Sequence, residues 1–365
     1  MKRVLVKESY LFLIFLYINV LCKGIGLGND SKVYLVLIVF GFIFLFLKIL
    51  NEKYNKKELC VSLLFIVIGL LCYVFTRKIT LLLTCVCIAG MKNIDLDKTF
   101  KEMLYLRSGS FICVIILAMI GIIENSSVSM WRNGHMDIRY TLGFSHPNSL
   151  HLALFIIVSL FIYNNYEKMN FFKYFFVLVV NVFIYTYSGS RTGFFMINML
   201  IIICCFSKNK NFKKLLLRMP KYIFIFVVFF SFVTAFLYGK YDVLNKLNII
   251  FNGRIAYSNY YLTNYKLSLF GRNIINDRNA LFDNGYIYCY VQYGVIGSIL
   301  LSYVLLKICK SIEKEQSSKR AIIVIAFLIY CFTESIMPNV FMNIILLFFA
   351  PILFEKRGCA EDYEE

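Results

Sequence analysis

Charge is what this chain has least of. Only 16% of the 365 residues are charged and 60% are hydrophobic, with a mean hydropathy of +0.71. That composition excludes a soluble domain of ordinary make-up and points to an integral membrane protein. Strict two-residue alternation is also missing from the apolar runs, so helices are expected rather than a transmembrane barrel. The 12 cysteines contain no CxxC pair, and most lie within apolar runs, among them Cys72, Cys85, Cys87 and Cys289. A disulfide framework is therefore not expected, and the thiols read as small buried hydrophobes. His146 and His151 have no third ligand nearby, which excludes a zinc motif, and no metal or cofactor is expected. The first apolar run, Tyr10 to Leu21, lacks a small-x-small cleavage pattern before Lys23 and reads as a span, not a signal peptide. There is no internal repeat and no separate soluble domain, so residues 1–365 form one membrane domain.

What remains is a succession of apolar runs. They place spans at 9–27, 33–50, 59–76, 79–91, 107–123, 148–164, 171–187, 191–207, 220–238, 285–306, 320–336 and 340–354. The fourth is short, and 59–91 could be a broken hairpin, so the fold class is an all-α polytopic bundle of about 10–12 spans. With the N-terminus inside, the inner segments hold 26 of the 39 lysines and arginines, which predicts both termini in the cytoplasm. The net charge of +18 is then an orientation signal, and no nucleic-acid partner is implied. The acidic tail Glu361 to Glu365 is a solvated end.

Two outer loops interrupt the apolar pattern. One runs from Glu124 to Asn148 and carries Trp131, the single tryptophan, placed to anchor at the interface. The other, 239–284, is a long extracytoplasmic loop whose spacing suggests short helices. Its Lys240, Lys246, Arg254, Lys266, Arg272 and Arg278 outnumber Asp242, Asp277 and Asp283.

Candidate site residues cluster on this side. Arg139 to Asn148 leads into a span with Pro147 suited to the first helical turn; His146 and Asn148 flank that start, and Ser145 or His146 capping the helix is the plainer reading. Arg191 follows the Ser188-Gly189-Ser190 turn, in the first turn of a helix, where a cation opposes the helix dipole and a bound anion would reverse the sign. Snorkelling to lipid headgroups is the alternative. Tyr257, Tyr260, Tyr261 and Tyr265 suit either a helix on the membrane surface or a sugar-stacking face. Asp283, just ahead of the span beginning near Gly285, is either a helix cap or, in a partly apolar cleft, a base. The middles of the spans are almost free of ionisable groups, which speaks against an ion-coupled pump.

Taken in order, Leu142-Gly143-Phe144-Ser145-His146-Pro147-Asn148, Tyr187 to Gly193, Gly253-Arg254, Leu269-Phe270-Gly271, Asp283-Asn284-Gly285-Tyr286 and Gln292 to Gly297 resemble the pattern of Wzy-type polysaccharide polymerases of the O-antigen ligase/polymerase superfamily. The resemblance spans roughly residues 139–297. It implies a metal-independent glycosyltransferase of the bacterial cytoplasmic membrane, polymerising undecaprenyl-diphosphate-linked oligosaccharide repeat units into capsular or surface polysaccharide. Donor and acceptor would both be lipid-linked, and a flippase and chain-length regulator proteins would be partners. Arg191 and Arg254 would hold the donor diphosphate, and Asp283 or His146 would take the proton from the attacking hydroxyl. Arg139, Asn148, Arg272, Asn284 and Tyr286 would bind substrate. Related ligases carry histidine near the place of Asp283, and the aspartate here leans toward polymerase. The alternatives are a ligase that transfers finished glycan and a lipid-linked oligosaccharide flippase.

Overall fold

The computed structural model describes residues 2–27, 31–132, 135–274 and 281–354. Asp277, Arg278 and the tail Glu361 to Glu365 lie outside the described residues, as does the side chain of Trp131. The order is α1 (Lys2–Gly24), α2 (Lys32–Asn51), α3 (Lys56–Thr76), α4 (Thr80–Gly90), α5 (Leu96–Met119), a hairpin of β1 (Ser127–Arg132) and β2 (His135–Tyr140), α6 (Pro147–Asn165), α7 (Phe171–Ser188), α8 (Arg191–Phe206) and α9 (Lys210–Leu237). Then come α10 (Asp242–Ile250), α11 (Arg254–Asn264), α12 (Gly285–Glu315), α13 (Ser318–Tyr330), a 3-10 helix Ile344–Phe349 and α14 (Ala350–Leu353). Seven helices among the described residues are long and apolar enough to cross a membrane, and the chain is an all-α, multi-pass membrane protein.

The helix starts follow local chemistry. Asn55 and Glu58 close a capping box at α3, and Ser31, Asp95, Asn170 and Asn209 each accept a backbone N–H at the start of α2, α5, α7 and α9. Arg77 takes the left-handed conformation that ends α3, so 59–91 is two antiparallel helices with a sharp turn. The helix faces separate by solvent. On α7, Phe171, Phe172, Phe175 and Phe176 are all more than half exposed, as a lipid-facing surface requires. From Ala321 to Leu328, α13 is buried on every side, the pattern of a helix enclosed by its neighbours.

Several helices overrun the expected spans, α5 starting at Leu96, α9 at Lys210 and α12 ending at Glu315, and three further features depart from them. The loop after α5 folds into an antiparallel hairpin in which Val128 pairs with Arg139. The expected span 320–336 ends as a helix at Tyr330, and residues 331–343 form a buried, turn-rich connection. The expected span 340–354 is a 3-10 turn and one short helix. Nor is the interior as free of ionisable groups as the runs suggested: Arg107 in α5 is 1% exposed and donates through Nη2 to the Phe341 carbonyl. His151 in α6 is buried between Ser188 and Asn181, each 2.9 Å from a ring nitrogen.

Candidate functional site

Arg254 is the first residue of α11, and its guanidinium is 6% exposed. It points out of its own helix. Nε donates to the Thr333 carbonyl at 3.0 Å, Nη1 to the Phe251 carbonyl at 3.4 Å, and Nη2 lies 3.4 Å from Asp283 Oδ2 and 3.7 Å from Glu334 Oε1. Three segments far apart in sequence thus converge on one cation. Two of its three polar ends are longer than an ordinary charge-assisted hydrogen bond.

Asp283 is available for this because Asn284 does the capping. The Asn284 Oδ1 accepts from the backbone N–H of Tyr286 and Ile287, and its Nδ2 donates to Ser231 Oγ at 3.2 Å. Asn284 and Tyr286 are both 4% exposed, and the Tyr286 hydroxyl donates to the Leu328 carbonyl at 2.7 Å. With the Gly285 N–H donating to Cys331 O at 2.8 Å, these bonds fasten the start of α12 to the turn that carries Thr333 and Glu334. Both residues expected to bind substrate therefore serve the frame of the site.

Glu334 was not among the residues singled out from the sequence. It lies beyond the last turn of α13, with its side chain 17% exposed. Burial and the neighbouring Asp283 carboxylate push it up to about 8, against the pull of Arg254 and Arg139. Burial also raises Asp283, with Arg254 opposing. A signal for Glu334 did exist: one carboxylate inside an otherwise apolar run is a functional-site candidate by default.

Arg139 completes the charged group. It projects from β2 at 4% exposure, and its electrostatic influence reaches both Glu334 and His146. Its Nε donates to the Ser188 carbonyl at 2.7 Å and its Nη2 to Asn148 Oδ1 at 2.6 Å. His146 caps α6 as the plainer reading has it: Nδ1 accepts the Asn148 N–H at 3.1 Å. That occupies the Nδ1 lone pair and leaves the proton of the neutral ring on Nε2, so the imidazole presents a donor. Burial, then Arg139, lowers its affinity for a second proton. With Glu334 protonated, Arg139 and Arg254 outweigh Asp283, and the group carries a net positive charge suited to an anion.

Arg191 begins α8, half-buried, and its guanidinium makes no hydrogen bond or ion pair with a described residue. Arg272 is turned back on its own loop, donating to the Lys266 carbonyl. Of the tyrosines, Tyr261 is fully buried and stacks on Phe282 at 3.7 Å, forming a small core with Ile274, Ile287 and Val291.

Two of the short glycine motifs meet directly. Helix α12 breaks at Gly294, whose φ of 71° and ψ of −173° are non-helical. The freed N–H groups of Val295 and Ile296 donate to the carbonyls of Ser268 and Leu269, both at 3.0 Å. Arg272 and Gln292 exchange further bonds: the Arg272 N–H donates to the Gln292 carbonyl at 3.2 Å and Gln292 Nε2 to the Arg272 carbonyl at 2.9 Å. The loop thus supplies carbonyls that the broken helix cannot, as a break at membrane depth requires. A Cβ at Gly271 would overlap the Gln292 carbonyl, and one at Gly294 would overlap the Gly271 backbone.

No family model matches this sequence, and no curated protein and no solved structure matches it.

Proposed function

We propose that this chain is a membrane glycosyltransferase that polymerises lipid-diphosphate-linked oligosaccharide repeat units, working at the Arg254 end of the bundle on the outer face of the cytoplasmic membrane. The observation that carries this reading is the convergence of Arg254, Asp283 and Glu334, on which Arg139 also acts, the first two from segments whose motifs resemble Wzy-type polymerases. A buried, net-positive group beside two carboxylates suits a reaction in which an anionic diphosphate leaves and a hydroxyl proton must be accepted.

In this reading Arg254 and Arg139 receive the donor diphosphate; Arg139 takes the second place that the sequence alone suggested for Arg191. The acceptor hydroxyl oxygen attacks the anomeric carbon, and the carbon–oxygen bond to phosphate breaks with its electron pair remaining on the diphosphate. The hydroxyl proton passes to Asp283. Asp283 is preferred to His146 because the His146 Nδ1 lone pair is already used within the backbone cap. Glu334, holding its proton, lowers the negative charge facing the diphosphate.

The test is polymerisation of purified lipid-linked repeat units by the purified protein. Wild type should build polymer unaided, and Arg254→Lys, which keeps the charge and loses the planar fork, should slow it about 10²-fold, the loss typical of a removed transition-state donor. Full activity of a properly folded Arg254→Lys protein would remove Arg254 from the diphosphate. Transfer of finished glycan without chain growth would mark a ligase instead.

A further inference from the structure

The turn carrying Glu334 begins at Tyr330, and its carbonyl accepts from the Glu334 N–H at 3.0 Å and from Thr333 Oγ1 at 3.0 Å. The Tyr330 side chain leaves that turn on the side of α6. Its ring meets Phe155 edge-on, centroids 4.6 Å apart. Phe155 lies about two helical turns below the His146 cap of α6. The ring therefore lies inward of that cap, next to the turn that carries Glu334, and both Glu334 and Arg254 act on it electrostatically. Tyr330 is fully buried. Its hydroxyl has no hydrogen-bond partner among the described residues.

That combination needs a reason. A buried hydroxyl without a partner is costly, and buried tyrosines ordinarily reach an acceptor. A phenylalanine would fill the same space against Phe155 without the penalty. An unpaired donor also fits badly with packing alone when Glu334 and Arg254 act on it.

Resting on the polymerase reading, we infer that the Tyr330 hydroxyl is a substrate-contacting donor at the floor of the site, hydrogen-bonding an oxygen of the diphosphate-linked sugar. The two arginines hold the anionic part of the substrate from either side, and the hydroxyl meets it from below. The same arrangement makes Tyr330 one of the residues that select an oxygen-rich ligand at a position otherwise walled by aromatic rings.

The experiment is Tyr330→Phe in the full-length protein, which removes one oxygen and leaves the ring. Three quantities are measured on the same preparation: Tm, polymerisation of lipid-linked repeat units, and the rise in Tm produced by farnesyl diphosphate as a diphosphate probe. The expected result is a Tm equal to or above wild type, polymerisation at least about tenfold slower, the loss of a single donor to a charged oxygen, and a smaller ligand-induced rise. Unchanged polymerisation and an unchanged rise would overturn the inference and make the hydroxyl a plain core orphan. A wild type that responds to farnesyl diphosphate but builds no polymer would sink the polymerase reading alone, and the ligand-induced shift would still judge Tyr330. A wild type with neither response would overturn both.

Discussion

The two ends of the bundle treat buried charge in opposite ways. Where α2, α3 and α4 meet, Lys48 lies 2.6 Å from Glu52, Lys92 pairs with Glu58, and Asn93 donates to the second Glu52 oxygen at 2.7 Å. Lys48 also donates to the Lys92 carbonyl at 2.7 Å. Each carboxylate there has its own cation at close range. At the other end one guanidinium serves two carboxylates at 3.4 and 3.7 Å, and the buried Tyr330 hydroxyl has no partner among the described residues. The first arrangement is complete and holds helices together. The second keeps donors and protons in reserve, as a site that must accept a ligand does.

If that contrast is right, removing a charge should cost stability at one end and chemistry at the other. The largest stability effect is expected from Lys48→Met, which leaves Glu52 buried without its cation. Breaking a buried pair by removing one partner costs about 3–5 kcal/mol. Thermal unfolding in detergent should show a large fall in Tm. A Lys48→Met protein as stable as wild type would mean the pairs at that end carry no load and would erase the comparison.

A smaller loss is expected from Gly271→Ala. The left-handed backbone there, φ +86°, disfavours any side chain, and the new Cβ would meet the Gln292 carbonyl. Strain of this kind costs about 1–3 kcal/mol. It should appear as lowered Tm together with faster proteolysis between α11 and α12. An unchanged protease pattern would show that the loop is not needed to complete the broken helix.

The most local effect is a dependence on pH at the Arg254 end. Folded Glu334 keeps its proton up to about 8, whereas the ordinary value is 4.5. Between those values the folded protein binds more protons than the unfolded chain, so stability should fall as pH rises through the window and be fully retained below it. Asp283, also raised, contributes in the same direction. The check is Tm against pH for wild type and Glu334→Gln: the glutamine variant should flatten the slope. A slope that Glu334→Gln leaves intact would place the titrating group elsewhere.

Much of the bundle was legible from the sequence because its causes are local. Many helix starts fall where apolar runs meet Asn, Asp or Ser caps, and six of the twelve expected spans match helices to within a few residues at both ends. The candidate residues divided by how far they had to reach. His146 was recognisable as a cap because its partner is Asn148, two residues away. Glu334 was passed over because Tyr330-Cys331-Phe332-Thr333 reads as more of the same apolar run, and nothing local announces that the helix stops at Tyr330. The hairpin of β1 and β2, which delivers Arg139, was equally hidden in a polar loop.

The sequence by itself determined that this is an all-α membrane protein, where most of its helices begin, and that its polar interruptions gather arginines and one aspartate near helix ends. Those properties depend on hydropathy and on hydrogen bonds between residues a few positions apart. Only the tertiary structure decided that Arg254 faces Asp283 and Glu334, that Arg139 is fastened to Ser188, and that the Ser268 to Arg272 loop closes the break at Gly294. Each of those joins segments separated by tens of residues, and the choice among possible partners is made by packing, which hydropathy does not encode.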